Sequence, residues 1–404
     1  MIQTAVFGFG NIGGGVVEVM ERNKEQISRS VPGGMAVKYI LDIRDFPDSP
    51  YRDRVVHDID IILNDPEIRV VCETMGGKEP AFTFSMRALE KGISVCTSNK
   101  ELVEAHGPEL LAAARAHDCS YLFEASVGGG IPLISPLTMC LTQEEITSVV
   151  GILNGTTNYI LTKMDRFGAD YADVLKEAQE LGYAERNPEA DVEGHDTGRK
   201  IAILSSLMGG KTVKYDDIPV EGITGIEQAD FDFARARGYV IRLLGVSRLE
   251  PEGFHVLTAP HFVPEGHPLY AVDDVFNGVF IHGNMVDDLM FYGRGAGKYP
   301  TGSAVVADMI RAAKHLGKNI PILWDKEPAV LAPAQLRESV FFTRVDGSAA
   351  DQARAAFDGK IAEELGKVPG TDDFGFITVR MPDHEYKEIC ERLGNVHNSI
   401  RILV

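Results

Sequence analysis

Cysteines are few in this sequence, and long apolar runs are missing. The cysteines Cys72, Cys96, Cys119, Cys140 and Cys390 are isolated and show no C-x-x-C spacing. This pattern argues against a disulfide framework or a cysteine-based metal site, and it is typical of a reducing compartment. No apolar run reaches the roughly 18 residues of a membrane-spanning helix, and no signal-peptide pattern opens the chain. We therefore expect a cytoplasmic protein.

Basic residues are also scarce. The 404 residues include 40 lysines and arginines against 59 aspartates and glutamates, which gives a formal net charge of −19. Nucleic acids and anionic membranes bind basic surfaces, so we expect neither as a partner. The net charge says little about a small-molecule substrate. The length favours two or three domains with sizeable cores.

Strands and helices alternate in the first third of the chain. Short apolar runs predict strands at residues 2–7, 35–41, 70–72, 93–96 and 121–123. Helical patterns begin near residue 16 and cover 80–91 and 108–116. Such alternation predicts an α/β domain with a parallel sheet and right-handed crossovers.

A glycine-rich turn directly follows the first predicted strand and opens a helix. It reads Gly8, Phe9, Gly10, Asn11, Ile12, Gly13. In this context the G-x-G-x-x-G spacing permits a tight turn and lets backbone N–H groups approach a pyrophosphate at the helix N-terminus. We therefore predict a Rossmann dinucleotide site at this turn.

The nucleotide preference is open at this level. Asp42 ends the second strand, where a carboxylate would bind the ribose 2′-OH of NAD. Arg44 follows two residues later and could instead hold the 2′-phosphate of NADP. Both side chains are present, and we favour acceptance of NADP slightly over NAD.

The pattern changes after the glycines at 128–130. Predicted strands lie at residues 146–153, 239–246, 254–260, 275–282 and 289–292, and predicted helices at 159–167 and 171–181. They indicate an α+β domain with a largely antiparallel sheet suited to self-association. A periodic helix at 301–316 could return to the first domain.

A short linker at 332–334 precedes a small C-terminal unit. Its predicted order is a strand at 339–345, a helix at 349–357, strand segments ending at 374–379, a helix at 385–393 and a strand at 399–404. This is a βαββαβ pattern. We expect that deleting residues 337–404 would leave some activity.

An acid-rich stretch, residues 182–200, precedes an apolar helix. Asp196 and Lys200 are four residues apart, which places them on one face of a helix. One interpretation is a surface ion pair whose acid favours the helix N-terminus. The other is an acid/base pair beside a cationic or zwitterionic ligand.

Six motifs together resemble the homoserine dehydrogenase family, in order and over residues 1 to about 310. They are the glycine turn, Thr97-Ser98-Asn99-Lys100, the stretch 124–132, the stretch 154–160, Gly182-Tyr183-Ala184-Glu185 and the stretch 191–200. The C-terminal unit is similar in topology and position to an ACT domain, an amino-acid-binding regulatory module.

The resemblance implies three domains and one reaction. The domains are a Rossmann domain at 1–132 with a returning helix at 301–330, a substrate-binding and dimerisation domain at 133–300, and an ACT-like domain at 337–404. The reaction is reversible NAD(P)-dependent hydride transfer between L-homoserine and L-aspartate 4-semialdehyde, in threonine, methionine and isoleucine biosynthesis. A homodimer or larger homo-oligomer is implied as well.

Site residues follow from the matched motifs. Lys200 and Lys100 match the family's two catalytic-site lysines, and Asp196 matches the carboxylate beside Lys200. Glu185 and Asp191 match the acids that hold the substrate's amino group. The proton could come from Lys200 or from a water held by Lys100 and Asp196, and the sequence leaves this open.

The resemblance also implies cofactor contacts and a cation site. Thr74, Lys100 and Gly295 match cofactor contacts. The loop with Glu124, Val127, Gly129 and Ile131 matches one that binds a structural monovalent cation, Na⁺ or K⁺.

Two departures from the family pattern stand out. Ser98 replaces the usual alanine, and we expect this substitution to have no effect on function. Asp346-Gly347-Ser348 replaces the usual Pro-Gly turn of the ACT-like unit, where an amino-acid effector would bind. Threonine feedback is therefore doubtful, and the alternative is a vestigial or purely dimerising module.

Two other functions fit parts of the sequence. One is an oxidoreductase acting on another semialdehyde or an imino acid, which the register of Glu185, Asp191, Asp196 and Lys200 disfavours. The other is a sensor without activity, which the three residues Lys100, Asp196 and Lys200 disfavour.

Overall fold

The computed structural model describes residues 1–366 and 368–404. The chain forms two compact units. The first comprises Met1–Glu145, Ala202–Tyr215 and Gly293–Pro328, and the second comprises Ile146–Ile201, Asp216–Tyr292 and Ala329–Val404. Within the described residues no helix combines the length and the apolar character needed to cross a membrane.

The strands are numbered along the chain. They are β1 (Ile2–Phe7), β2 (Met35–Leu41), β3 (Val55–Val56), β4 (Ile68–Glu73), β5 (Ser94–Thr97), β6 (Tyr121–Leu122), β7 (Ile146–Ile152), β8 (Lys211–Thr212), β9 (Tyr239–Glu250), β10 (Gly253–Pro264), β11 (Phe276–Gly283), β12 (Asp287–Arg294), β13 (Asp325–Pro328), β14 (Glu338–Val345), β15 (Ile361–Gly366), β16 (Phe374–Thr378), β17 (Met381–Pro382) and β18 (Val396–Ile402).

The α-helices are numbered in the same way. They are α1 (Asn11–Arg22), α2 (Lys24–Ser30), α3 (Ile59–Leu63), α4 (Ala81–Glu90), α5 (Lys100–Ala116), α6 (Gly155–Phe167), α7 (Tyr171–Glu180), α8 (Glu189–Val192), α9 (His195–Gly209), α10 (Gln228–Arg235), α11 (Lys298–Lys314), α12 (Ala350–Ala356) and α13 (Asp383–Leu393).

The first unit contains a parallel sheet in the order β3-β2-β1-β4-β5-β6. Both neighbours of β1 pair with it in parallel. The strand order reverses at β1 and β4, and ligands of such sheets bind in the crevice at the carboxyl ends of the strands there. The predicted α/β fold is confirmed, and α11 belongs to this unit.

Close backbone packing joins α1 to α11. A Cβ on Gly15 would lie 2.4 Å from the carbonyl oxygen of Lys298, and one on Gly302 would lie 2.9 Å from the carbonyl carbon of Gly15. Real Cβ atoms do not approach other atoms so closely, so both glycines permit the two helices to touch.

Helix α5 differs from the prediction. It begins at Lys100 and runs through Pro108, whereas the sequence suggested a start at Pro108. Proline favours the first turn of a helix, which explains the error. The actual start is capped by Asn99, whose Oδ1 accepts a hydrogen bond from the Leu102 N–H at 3.1 Å.

The second unit is built on one long sheet. The strand order is β12-β11-β7-β9-β10-β18-β14-β16-β15, and β17 pairs with β14. Strands β9 and β10 pair antiparallel over twelve residues each. The predicted α+β character of this part is confirmed.

The C-terminal strands continue the same sheet. The βαββαβ order is present, with β14 between β18 and β16. Strand β18 pairs in parallel with β10 through His261 opposite Arg401 and Phe262 opposite Ile402. No local pattern in the sequence indicates this pairing.

The C-terminal segment also shares a hydrophobic core with the rest of the second unit. The rings of Phe262 and Phe342 stack with centroids 4.6 Å apart, and the Phe233 ring lies 5.4 Å from that of Phe342. All three side chains are fully buried. Removing residues 337–404 would expose this core, so the structure argues against the expectation that a truncated chain keeps activity.

A buried arginine ties the C-terminal segment to α10. Arg344 on β14 donates to Asp230 at 2.8 Å, to Asp373 at 2.5 Å and to Glu227 at 2.7 Å. The Asp230 side chain is fully buried, and burial raises the pKa of this carboxyl although Arg344 opposes the shift. Removing the arginine would leave a buried acid without its cation.

We predict that Arg344→Ala lowers the free energy of unfolding by about 3–5 kcal/mol, the usual effect of breaking a buried ion pair. Urea unfolding followed by circular dichroism measures this. Arg354→Ala is the matched control, because Arg354 pairs with Asp351 and Glu364 on the surface of the same segment and exposed pairs contribute little. Equal losses for the two variants would contradict the prediction.

Candidate functional site

The glycine turn of the first unit has the backbone that its sequence predicted. Gly8 has φ +88°, which disfavours side chains. A Cβ on Gly13 would lie 2.0 Å from the Gly8 carbonyl oxygen and 2.8 Å from Thr74 Oγ1. Helix α1 starts at Asn11 and continues through Ile12, so its first N–H groups lie at the turn and can bind an anion.

Thr74 holds this turn from the next strand. Its Oγ1 donates to the carbonyl oxygens of Gly8 at 2.8 Å and Phe7 at 3.1 Å. The turn is thereby joined to the carboxyl end of β4. Thr74 was predicted as a cofactor contact, and in the structure its hydroxyl supports the loop backbone.

Asp42 and Arg44 form one bonded pair. Asp42 Oδ1 accepts from the Arg44 N–H at 3.0 Å and Nε at 2.9 Å, and Oδ2 accepts from the Phe9 N–H at 2.7 Å and Arg44 Nη2 at 2.9 Å. Burial alone would raise the pKa of Asp42, but the bonds from Arg44 and Phe9 outweigh it and lower the pKa to about 2. The Arg44 side chain is 59% exposed.

An open cavity of about 490 Å³ lies beside this pair. Its lining includes Phe9, Gly10, Phe46, Tyr51 and Lys298. The rings of Phe9 and Phe46 meet edge to face at 5.0 Å. Apolar rings beside a glycine turn suit an adenine ring, and the neighbouring arginine suits a phosphate.

A buried acid, Glu73, organises the segment that leads to Lys100. Glu73 Oε2 accepts from Thr97 Oγ1 at 2.6 Å, and Oε1 accepts from the Met75 N–H at 2.7 Å. Thr97 Oγ1 in turn accepts from the N–H of Asn99 at 2.9 Å. Asn99 caps α5, of which Lys100 is the first residue. Glu73 therefore fixes where α5 and Lys100 begin.

Sequence reasoning missed Glu73. The available signal was an acidic residue at the end of an apolar strand, next to Thr74. Glu73 is fully buried, and burial raises its pKa to about 7 against the hydrogen bonds from Thr97 and Met75.

The loop beginning at Glu124 is held by its own carboxylate. Oε1 accepts from the N–H groups of Leu133 at 2.5 Å and Ile134 at 2.7 Å, and Oε2 accepts from the N–H of Ser135 at 2.8 Å and from its hydroxyl. Each carboxylate oxygen thus has two donors. The side chain of Glu124 does not suit a cation, which would have to bind main-chain carbonyl oxygens of the loop, including those of Val127, Gly129 and Ile131.

A second buried acid supports the same loop from α11. Asp308 accepts from the N–H of Glu124 at 2.8 Å and from Arg311 at 3.1 Å, and Arg311 donates to the Ser135 hydroxyl at 2.6 Å. Burial raises the pKa of Asp308 to about 7, although Arg311 opposes this. No motif in the sequence points to Asp308.

Gly295 lies against this loop. A Cβ on Gly129, which has φ +57°, would lie 2.2 Å from the Gly295 carbonyl oxygen. The Gly130 N–H donates to the Arg294 carbonyl oxygen at 3.1 Å. The structure therefore brings the 293–297 segment and the 128–130 glycines together within the first unit.

The second unit gathers the predicted substrate-side residues around Lys200. Lys200 Nζ donates to Asp196 Oδ2 at 2.7 Å and to the carbonyl oxygen of Leu153 at 2.8 Å. Lys200 is 8% exposed and Asp196 3% exposed. The pair is therefore buried, and the surface ion-pair interpretation is wrong.

Asn154 connects these residues to Asp191. Its Nδ2 donates to Asp191 Oδ1 at 2.7 Å and to Asp196 Oδ2 at 2.9 Å, while its Oδ1 accepts from the Thr157 N–H at 2.8 Å and caps α6. Asn154 belongs to the 154–160 motif, which by itself indicates no role for this residue. The structure makes it the central residue of this cluster.

Glu185 differs from Asp196 and Lys200 in its exposure to solvent. It is an exposed residue of the turn between α7 and α8, and its carbonyl oxygen accepts from Gln179 Nε2 at 3.1 Å. The structure thus brings together Asn154, Asp191, Asp196 and Lys200, and leaves Glu185 on the surface. An exposed carboxylate at this turn is accessible to a cationic group.

The chain is similar to known proteins over most of its length. Residues 8–124 match the family model "Homoserine dehydrogenase, NAD binding domain", and residues 132–310 match "Homoserine dehydrogenase". The homoserine dehydrogenase of Bacillus subtilis (strain 168) is 38% identical over 320 residues, which cover 78% of this chain and 73% of that protein.

Solved structures agree with these matches. The homoserine dehydrogenase of Thiobacillus denitrificans superposes with a TM-score of 0.89 at 32% identity and covers 100% of this chain and 98% of its own. A hyperthermophilic archaeal homoserine dehydrogenase mutant in complex with NADPH gives a TM-score of 0.67 at 25% identity, covering 80% of this chain and 99% of its own.

Glu73 generates a pH-dependent prediction. Its folded-state pKa of about 7 lies above its ordinary value of 4.5, so its contribution to stability is present below pH 4.5 and is lost as the pH rises to about 7. We predict that, when the pH is raised from 5 to 8, wild type loses roughly 2 kcal/mol more unfolding free energy than Glu73→Gln does.

Urea unfolding at the two pH values measures this difference. Glu90→Gln, an exposed carboxylate at the end of α4, is the control and should follow wild type. Parallel pH dependence of Glu73→Gln and wild type would show that the Glu73 carboxyl does not titrate in this range.

Proposed function

The chain belongs to the homoserine dehydrogenase family, and from this premise we propose how its residues bind and convert the substrate. It is an oxidoreductase that uses a nicotinamide cofactor. The reaction interconverts L-homoserine and L-aspartate 4-semialdehyde in the biosynthesis of threonine, methionine and isoleucine. The nicotinamide supplies the hydride acceptor or donor, and the protein supplies position and charge.

Lys200 is the proposed catalytic group on the substrate side. Reduction of the aldehyde develops negative charge on its oxygen, and a nearby ammonium stabilises that charge. An ammonium has three N–H bonds. In the described contacts of Lys200, two of these N–H bonds donate to Asp196 and to the Leu153 carbonyl oxygen. The remaining one is available to the substrate oxygen, and this is the observation that carries the proposal.

The proton is transferred to the substrate oxygen on which this negative charge develops. In the reductive direction Lys200 gives a proton to the alkoxide directly, or a water does so beside it. In the oxidative direction the proton returns by the same path. Asp196 accepts a hydrogen bond from the ammonium and orients it, and Lys100 is proposed as the second catalytic lysine on the cofactor side.

Acidic residues are proposed to bind the substrate ammonium. Asp191 and Glu185 carry the charge that a zwitterionic amino acid requires. Asp191 is held in place by Asn154, whereas Glu185 is exposed and would reach the ligand from the surface turn.

We predict that Lys200→Met lowers kcat for homoserine oxidation by about 10²- to 10⁴-fold, the usual contribution of general acid–base catalysis. Lys200→Arg should stay slow as well, because a guanidinium keeps the charge beside Asp196 but does not release a proton near neutral pH. Steady-state kinetics measure both, with circular dichroism to check folding.

Lys176→Met, an exposed lysine on α7, is the matched control and should retain wild-type kcat. Near wild-type turnover in folded Lys200→Met would refute the assignment of Lys200 even if the family activity is present.

Arg44 is proposed to select NADP. The carboxylate of Asp42 has its oxygens engaged by Arg44 and the Phe9 amide, so it is poorly placed to accept a ribose hydroxyl. The guanidinium group of Arg44 is exposed, so a phosphate can approach it from solvent. A 2′-phosphate is an oxyanion that arginine binds well. NAD remains an alternative substrate that lacks this contact.

We predict that Arg44→Gln raises KM for NADPH by about tenfold or more and leaves KM for NADH unchanged or lower, because Asp42 is then released to bind the ribose. Kinetics with both cofactors measure this. Arg52→Gln, an exposed arginine of the same segment, should change neither KM. A strong native preference for NADH would overturn the proposal.

Further proposals concern the rest of the glycine turn and the loops. The N–H groups around Gly8, Gly10, Asn11, Ile12 and Gly13 are proposed to bind the pyrophosphate. Thr74 supports them, and Gly295 lies in the segment proposed to border the nicotinamide. A monovalent cation, Na⁺ or K⁺, is proposed to bind main-chain carbonyl oxygens at the 124–131 loop.

The domain division is also a proposal. It places a dinucleotide-binding domain at 1–132 with the returning helix at 301–330, a substrate-binding and dimerisation domain at 133–300, and an ACT-like domain at 337–404. Support for the last comes from the order β18-β14-β16-β15 with two helices. A homodimer or larger homo-oligomer and a cytoplasmic location are proposed from the family and from the free cysteines.

The ACT-like loop is proposed not to bind threonine. A Cβ on Gly347 would lie 1.9 Å from the carbonyl oxygen of Asp372. The Asp346 carboxylate accepts from the Ser348 N–H at 2.8 Å and from the Ser348 hydroxyl. The loop is therefore filled by its own residues, which leaves little room for an amino acid.

A further inference from the structure

An arginine-lined cavity lies where β18 and β14 meet β9 and β10 in the second unit. Its volume is about 230 Å³, and its lining comes from both the long hairpin and the C-terminal strands. Four arginines line it: Arg248, Arg337, Arg380 and Arg401. Arg248 lies on β9, Arg337 just before β14, Arg380 just after β16 and Arg401 on β18. Distant parts of the chain therefore contribute one charge each.

These charges are only partly balanced by the protein. Burial lowers the pKa of Arg248, and the neighbouring Arg380 lowers it further while Glu250 opposes this. Burial likewise lowers the pKa of Arg337, where Arg401 adds to the effect and Asp383 opposes it. For Arg401 burial is outweighed by Glu221 and Asp383, which raise its pKa. Arg248 and Arg337 are therefore the arginines whose charge is not fully balanced.

Two of the guanidinium groups also have an unused donor. The Nε–H groups of Arg337 and Arg401 are buried and meet no acceptor among the described residues. The terminal nitrogens of Arg401 are engaged by Glu221 at 2.7 Å and Asp383 at 3.2 Å. A buried donor without an acceptor costs about 1–3 kcal/mol, so the protein leaves these two guanidinium groups incompletely bonded.

The cavity also has acidic and neutral lining groups. Glu250, Glu252 and Glu338 line it, and all three are exposed, so solvent screens their charge. His261 is buried, and burial lowers its pKa to about 3, which keeps it neutral. Glu221 and Asp383 pair with Arg401, and Arg248 Nη2 donates to the Val404 carbonyl oxygen at 3.1 Å. Among the described residues, the guanidinium groups of Arg337 and Arg380 have no bonded acid.

We propose that this cavity binds a small anion through a phosphate or carboxylate group held by Arg337 and Arg380, with Arg248 and Arg401 adding charge. Guanidinium groups bind both kinds of oxyanion in a forked geometry. The volume is below the 300–1,000 Å³ range of drug-sized sites, which restricts the ligand to a small molecule. The site is separate from the substrate cluster around Lys200 and does not depend on the proposed function.

Such an anion would bridge two parts of the second unit. Arg248 belongs to the long β9–β10 hairpin, whereas Arg337, Arg380 and Arg401 belong to the C-terminal segment. A ligand that contacts both would stabilise their junction.

The test is isothermal titration calorimetry of the full-length protein with sodium phosphate and, separately, with sodium succinate. Saturating NADP⁺ fills the dinucleotide pocket, and chloride keeps the ionic strength constant. We expect saturable binding of one anion per chain. The anion that binds more tightly identifies the source as phosphate or carboxylate.

Arg337→Gln/Arg380→Gln should weaken that binding at least about tenfold. Arg392→Gln, which changes an exposed arginine of α13 outside the cavity, should bind as wild type does.

Three results would overturn the proposal. They are no saturable heat with either anion, equal affinity in the double variant and wild type, and a change of oligomeric state in the double variant without a change in anion binding. The last result, seen by light scattering, would show that the arginines serve contacts with a second copy of the chain.

Discussion

Lys200 carries an ammonium group into a buried position, so protein oxygens have to balance its charge. Asp196 supplies the opposite charge and the Leu153 carbonyl supplies a second acceptor. Asn154 then fixes Asp196 and Asp191 with the two hydrogens of one amide. The end of β7, the cap of α6 and the start of α9 therefore have to meet at one point, and the fold of the second unit satisfies that requirement.

The first unit depends on a different constraint, which is close approach of backbone to backbone. Gly13 leaves no space for a side chain beside the Gly8 carbonyl, and Thr74 bonds that same carbonyl from the neighbouring strand. Buried acids then position the segments around this turn. Glu73 does so for the start of α5, and Asp308 does so for the loop that begins at Glu124. Burial raises the pKa of both acids, because the hydroxyl and amide donors around Glu73 and the single arginine beside Asp308 do not outweigh it.

The sequence predicted features that depend on neighbouring residues. The glycine turn, the alternation of strands and helices, and the Asp196–Lys200 spacing are local patterns, and each appears in the structure. Features made by distant residues were missed. Glu73 meets Thr97 24 residues away, Arg344 meets Asp230 114 residues away, and β18 joins β10 across the chain. No local pattern marks such pairs, and the Pro108 error shows that one strong local signal can also mislead.

Asp196 is proposed to act on the reaction only through Lys200. A double-mutant cycle on kcat for homoserine oxidation, with Asp196→Asn, Lys200→Met and the double variant, tests it most directly. We predict that the double variant is no slower than Lys200→Met alone, because an acid that orients an ammonium has no effect once the ammonium is gone. Losses that multiply in the double variant would show that Asp196 and Lys200 act independently and would contradict the claim.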